Sequence, residues 1–189
     1  MKSYQLTDFG KPLKILESKK PKPHGNEVSL KTMCCGICHS DLHIQDGFFD
    51  LGGGEKLDPI QELPQVMGHE IYGEVVGVGE KVSKTLLGKK RVVYPWIGCG
   101  ACSFCQAKEE QFCLLGKNIG VTAPGGYGEY VLVPDPKYLL DAGSKNPLMS
   151  GCFACSGLTS YTALKKVLAG KKRFKKKDIL VFYQEFHQN

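Results

Sequence analysis

Four cysteines crowd one short stretch of this chain: Cys99-Gly-Ala-Cys102-Ser-Phe-Cys105, then Cys113 after seven intervening residues. Thiolates at this spacing can close a tetrahedral shell around Zn²⁺, with Zn–S distances of about 2.3 Å. Four sulfurs leave no open position, so the expected role of such a site is structural. Gly98 and Gly100 ease the backbone turns that aim successive sulfurs at one point. The surrounding lobe has little apolar content, so metal binding and local folding should be coupled. An iron–sulfur cluster is the other metal option for soft thiolates, and incidental buried cysteines are the bland one. The close spacing of all four favours zinc.

Two further stretches carry ligand-type side chains. Gly36-Ile37-Cys38-His39-Ser40-Asp41-Leu42-His43 packs a thiol, two imidazoles, a hydroxyl and a carboxylate together, and Gly68-His69-Glu70 opens a Gly- and Val-rich segment. Each is weak alone, because a single Cys or His is more often structural than a ligand. Beside a four-cysteine lobe they gain weight as a second metal site.

These residues need elements to position them. Residues 1 to about 32 alternate as strands do, with Pro21, Pro23 and Gly25 marking a turn before Val28–Thr32. Cys34–Asp46 reads as a loop and short helix, with Cys34 and Cys35 as packed strand residues. Residues 47–66 read as a long irregular loop. Ile71–Val78, Arg91–Pro95 and Tyr127–Val133 are strand-like, and 96–118 has little periodicity. Leu158, Tyr161, Thr162, Ala163, Leu164, Val167 and Leu168 fit one helical face within Ser156–Ala169, and Asp178–Tyr183 then reads as a buried strand. Gly77-Val78-Gly79 has no helix after it and is not a phosphate loop.

Composition narrows the class. No run of 18 apolar residues is present, and the N-terminus lacks an apolar leader, so a cytoplasmic chain with no membrane partner is expected. An odd total of nine cysteines argues against a disulfide framework. The net charge of +6 is concentrated in Lys171–Lys177, a run of six cations around Phe174. A solvated connection between helix and strand explains that run, and one Phe is thin support for stacking nucleic-acid bases.

In order, G-I-C-H-S-D at 36–41, G-H-E-x-x-G-E-V-V-x-V-G at 68–79 and C-x₂-C-x₂-C-x₇-C at 99–113 resemble the zinc-dependent alcohol dehydrogenases of the medium-chain dehydrogenase/reductase family. The resemblance covers about residues 1–183. It implies a mainly β (α+β) fold, with a GroES-like β-barrel catalytic domain at 1–150 and its structural zinc lobe at about 96–118. A linking helix and the first strand of a Rossmann cofactor domain would follow at 151–183. The implied function is that of an oxidoreductase, the NAD- or NADP-linked interconversion of an alcohol and an aldehyde or ketone, with two zinc ions per chain. Full-length relatives are homo-oligomeric.

Roles carry over at matching positions. Cys38 and His69 look like two ligands of the catalytic zinc. Cys155, within A-C-S-G-L-T-S-Y at 154–161, resembles the third, whereas Cys152 is off the pattern. Cys99, Cys102, Cys105 and Cys113 match the structural zinc. Ser40 resembles the hydroxyl that takes the substrate proton, His43 the group that hands it to solvent, and His39 a contact to the cofactor pyrophosphate. Asp41 resembles the carboxylate that orients the zinc-bound imidazole. Glu70 looks like a nearby carboxylate able to approach zinc, and Phe49 and Trp96 fall where relatives have pocket walls.

One departure shapes the expectation for the whole chain. Nothing of the form G-x-G-x-x-G follows Tyr183, and Gln184–Asn189 would place side chains where a pyrophosphate should lie. The sequence therefore reads as a catalytic-domain fragment with an aberrant tail at 184–189, expected to show negligible turnover alone. The competing reading, a non-catalytic zinc module contacting nucleic acid or protein through its basic run, leaves Cys38, His69 and Cys155 unexplained.

Overall fold

A computed structural model describes residues 1–58, 62–143 and 147–169. The basic run at 171–177, the strand expected at 179–183 and the tail at 184–189 lie outside the described residues. Strands β1 (Lys2–Leu6), β2 (Lys14–Glu17) and β3 (Val28–Gly36) lead into helix α1 (His39–Asp46). Then come β4 (Phe49–Gly52), β5 (Glu55–Leu57), β6 (Gln65–Val66), β7 (Glu70–Val78), β8 (Lys90–Val93) and β9 (Trp96–Ile97). The second half holds the short α2 (Ser103–Gln106), then β10 (Lys117–Asn118), β11 (Tyr130–Val133), β12 (Leu139–Leu140) and α3 (Ser156–Ala169).

The frame of the molecule is a five-stranded antiparallel sheet in the order β11-β3-β7-β8-β12. Its inner residues Val28, Leu30, Ile71, Val75, Val93, Val131 and Val133 are buried together with Ile119 and Tyr138. Alternating apolar positions on β3, β7 and β11 produce this face, and each fully buried aliphatic side chain contributes about 1.5–3 kcal/mol. A second sheet, β2-β1-β6, delivers Leu6, which packs with Ile44 and Met67. The architecture is mainly β with few helices, as the sequence reading expects.

One expectation changes. The stretch 47–66 is not an irregular loop: Phe49–Leu57 forms the β4–β5 hairpin, and Gln65–Val66 pairs with β1. Gly52, Gly53 and Gly54 all adopt left-handed φ values and turn the hairpin, so glycines that read as loop punctuation are a tight strand reversal. The chain separates into compact units after Cys155. The reason is the 3₁₀ stretch Pro147–Ala154, whose Ala154 is buried against Tyr72 and Val92 and ties Cys155 to the sheet. Helix α3 belongs to the second unit and spans the residues expected from its apolar spacing.

Candidate metal centres

The pairing of β3 with β7 brings the first two ligand-type side chains together. Gly36 stands opposite Glu70 at the end of that ladder. Cys38 lies two residues beyond Gly36 and His69 one residue before Glu70, so the two side chains leave the same end of the sheet. Cys155 follows the 3₁₀ stretch, its N–H 3.3 Å from the Cys152 carbonyl. The ligating atoms of Cys38, His69 and Cys155 all lie within 4.8 Å of one another.

Helix α1 fixes Cys38. Cys38 is the N-cap residue, with extended φ and ψ, and Asp41 at the third helical position accepts its N–H at 2.8 Å. This is a capping-box arrangement with a carboxylate in the first helical turn. Gly47, at φ 95°, closes the other end in the left-handed conformation. Asp41 and Ile44 are the buried residues of the helix, so the carboxylate points inward.

Asp41 is only 3% exposed. One oxygen accepts from Cys38 N–H and from the Tyr127 hydroxyl at 2.9 Å. The other lies 3.4 Å from His69 Nδ1, and neither of those two atoms has another hydrogen-bond partner among the described residues. Nδ1 thus faces Asp41, and the imidazole hydrogen-bonds the Cys38 sulfur on its thiol side.

The electrostatics are those of a pocket in which protons occupy the place of a cation. The Cys155 thiol, then His69, hold the Cys38 thiol down to about 3, and the Ser40 backbone and hydroxyl add smaller contributions. Cys155 is pushed far up, first by its hydrogen bond to Cys38 and then by burial. Burial opposes charge on His69, yet Asp41 and Cys38 outweigh it and raise the imidazole to about 9. The Cys38 and Cys155 sulfurs are 3.8 Å apart. Two ligands at about 2.3 Å on a tetrahedral zinc would be separated by about 3.8 Å. The residues therefore fit a zinc ion held by two thiolates and one imidazole, with a fourth position open.

The second cluster sits in the lobe. Cys99–Cys105, Cys102–Cys105 and Cys102–Cys113 sulfur distances are 3.9, 3.5 and 3.7 Å, again near a tetrahedral edge. Backbone N–H groups of Ala101 and Cys102 lower the Cys99 thiol to about 6, while burial raises Cys105 to about 12. Between residues 98 and 118 only Cys105 is buried. An apolar core does not hold this lobe together. Its tie to the barrel is Glu110, which accepts hydrogen bonds from Gly98 N–H at 3.0 Å, from Lys137 Nζ at 2.7 Å and from the Tyr138 hydroxyl.

Of the other expected site residues, Ser40 is half-buried and hydrogen-bonds the Cys38 sulfur. His39 is exposed, and its ring stacks on that of half-buried His43 with centroids 4.8 Å apart. Phe49 tilts against His43 at 5.2 Å and also packs on the Leu6–Ile44–Met67 core. Trp96 lies at the root of the lobe, paired with Asn118. Glu70 is buried, with its carboxylate beside Gly36 and Cys152. Sequence reasoning missed Tyr127 and the place of Cys152. Tyr127 reaches Asp41 across 86 residues, and no local pattern announces that contact.

Residues 24–142 match the family model of the alcohol dehydrogenase GroES-like domain. An NAD-dependent alcohol dehydrogenase of Sulfolobus acidocaldarius is 39% identical over 166 residues, covering 87% of this chain and 47% of the relative. The structure of acetophenone reductase from Geotrichum candidum in complex with NAD superimposes with a TM-score of 0.75 at 31% identity, over 87% of this chain and 47% of that one. The D-arabinose dehydrogenase from Sulfolobus solfataricus gives a TM-score of 0.74 at 30% identity, over 89% and 48%. The chain spans about half the length of the relatives it matches. With its fold and the residue 24–142 match in agreement, the chain belongs to the alcohol dehydrogenase GroES-like domain family.

Proposed function

We propose that this chain carries the zinc-holding half of an NAD(P)-dependent alcohol dehydrogenase acting on a small alcohol, aldehyde or ketone. The observation that carries the reading is the convergence of Cys38, His69 and Cys155, with ligating atoms within 4.8 Å, beside the Ser40 hydroxyl. Zinc bound there supplies Lewis acidity at its open position, which makes loss of the alcohol proton accessible near neutral pH.

The chain's own residues do the rest. Asp41 holds the His69 ring and the Cys38 backbone in one arrangement. Ser40 Oγ, two residues from Cys38, takes the substrate proton. Half-buried His43 hands it toward solvent, and the stacked His39 stands at the exposed side for a cofactor phosphate. Hydride transfer itself needs a nicotinamide held against the substrate carbon, and several relatives bear NAD or NADP in their names. Cys99, Cys102, Cys105 and Cys113 would hold a second, structural zinc. The nine cysteines form no disulfide among the described residues, which fits a reducing, cytoplasmic setting.

Metal analysis of the anaerobically purified chain tests the reading. About two zinc ions per chain are expected, falling to one in Cys38→Ser. Zinc in the lobe alone, unchanged by Cys38→Ser, would overturn it.

A further inference from the structure

Glu70 poses a chemical problem. It follows His69 directly, is only 2% exposed, and its charge acts on the Cys35, Cys152 and Cys155 thiols. Carboxylate oxygens are good zinc ligands at about 2.0–2.2 Å. A carboxylate free to turn toward the Cys38–His69–Cys155 cluster would fill the fourth position and exclude substrate. Yet among the described residues its oxygens are not part of that cluster.

What holds it aside is visible. A Cβ added at Gly36 would lie 2.2 Å from Glu70 Oε2 and 3.2 Å from Cys152 Sγ. The carboxylate therefore occupies the space left by the missing Gly36 side chain, with the Cys152 sulfur against the same spot. The Cys152 thiol hydrogen-bonds that carboxylate. A Cβ at Gly151 would lie 2.2 Å from the Glu70 carbonyl oxygen, so the 3₁₀ stretch is pressed onto the Glu70 backbone too.

We propose that Cys152 is a positioning residue: with Gly36 it forms a notch that holds the Glu70 carboxylate beside the metal pocket and keeps the fourth coordination position open. This rests on the zinc reading of Cys38, His69 and Cys155. Cys152 is not a member of the Cys38–His69–Cys155 cluster, and its effect runs through Glu70.

Cobalt(II) substitution provides the test, because its d–d absorption reports a change of ligand. Spectra of the purified chain are taken as differences against Cys38→Ser, which removes the contribution of the lobe. Cys152→Ala should shift the d–d bands and slow chelator-driven cobalt release several-fold, as the freed carboxylate joins the metal. Cys152→Ser, which keeps a hydrogen-bond donor, should restore the parent spectrum. Cys152→Ala/Glu70→Gln should also return to it. Parent-like bands and release rates in Cys152→Ala would overturn the proposal, as would a shift that survives in the double variant. Absence of any cobalt difference spectrum in the parent would instead overturn the zinc reading.

Discussion

Asp41 Oδ1 and His69 Nδ1 lie 3.4 Å apart in a buried pocket where neither has another hydrogen-bond partner among the described residues. The second Asp41 oxygen accepts the Cys38 N–H, so one carboxylate steadies two of the three candidate ligands. Asp41→Asn keeps the shape but removes the charge that favours the bound imidazole orientation. Zinc affinity at this site should fall roughly 10–100-fold, as for other carboxylates behind metal-bound histidines. Competition against a chromophoric chelator measures it, and a loss under threefold would refute the orienting role.

Zinc loading should depend steeply on pH. In the metal-free pocket Cys38 sits at about 3 and has no proton to lose near neutrality. His69 is raised to about 9 and Cys155 is raised as well, so each must give up a proton when the ion enters. Protons compete with metal, so affinity rises as pH climbs toward 9. Two protons per ion correspond to about a hundredfold per pH unit. Calorimetry in buffers of different ionisation enthalpy counts those protons directly, with Cys38→Ser correcting for the lobe.

Gly68 tolerates no side chain. Its φ is +91°, and an added Cβ would lie 2.4 Å from the Tyr127 ring and 2.8 Å from the Cys35 sulfur. Gly68→Ala combines backbone strain with a push on the tyrosine that bonds Asp41. A loss of about 2 kcal/mol or more is expected, seen as a lower urea midpoint, together with weaker zinc binding next door. Gly88→Ala is the control, since it shares a positive φ but meets nothing within 4 Å. It should cost stability without changing metal affinity.

Glu110 is the clasp between lobe and barrel. Lys137 and then Tyr138 hold its carboxyl below the ordinary range. A carboxyl with a depressed folded value contributes stability above its unfolded value and loses it as pH falls through the folded one. Glu110→Gln should therefore cost about 1–2 kcal/mol at neutral pH. The gap from the parent should begin to narrow below about pH 4, where carboxyls ordinarily protonate, and close as pH falls through the lower folded value. Thermal unfolding at several pH values follows this, and a gap independent of pH would count against it.

Stripping metal should loosen one part of the chain selectively. Residues 98–118 have a single buried side chain, Cys105, while the sheet beside them has a continuous apolar face. After chelation, amide hydrogen exchange should accelerate across the lobe and leave Leu30, Val75 and Val131 protected. Uniform acceleration would mean that the lobe and the barrel unfold together.

Much of this site is legible in residue order because thiols at short spacing have few other uses. The four lobe cysteines, Cys38, His69 and Cys155 all belong to short patterns, and helix α3 follows its apolar period. The hairpin at 49–57 escaped because three consecutive glycines look the same in a loop and in a strand reversal. Tyr127 and Cys152 escaped for another reason: their partners, Asp41 and Glu70, are distant in sequence and are met only across packed strands.

The register that sets Gly36 opposite Glu70 also has a temporal meaning. Once β3 and β7 zip together, Cys38 and His69 already form a two-pronged grip, whereas Cys155 waits 117 residues downstream of Cys38. Closing so long a span is slow compared with pairing neighbouring strands. An ion caught early by the two-pronged grip would offer Cys155 a fixed partner and hold it on arrival. The metal would then act as a guide to assembly before it has any substrate to bind.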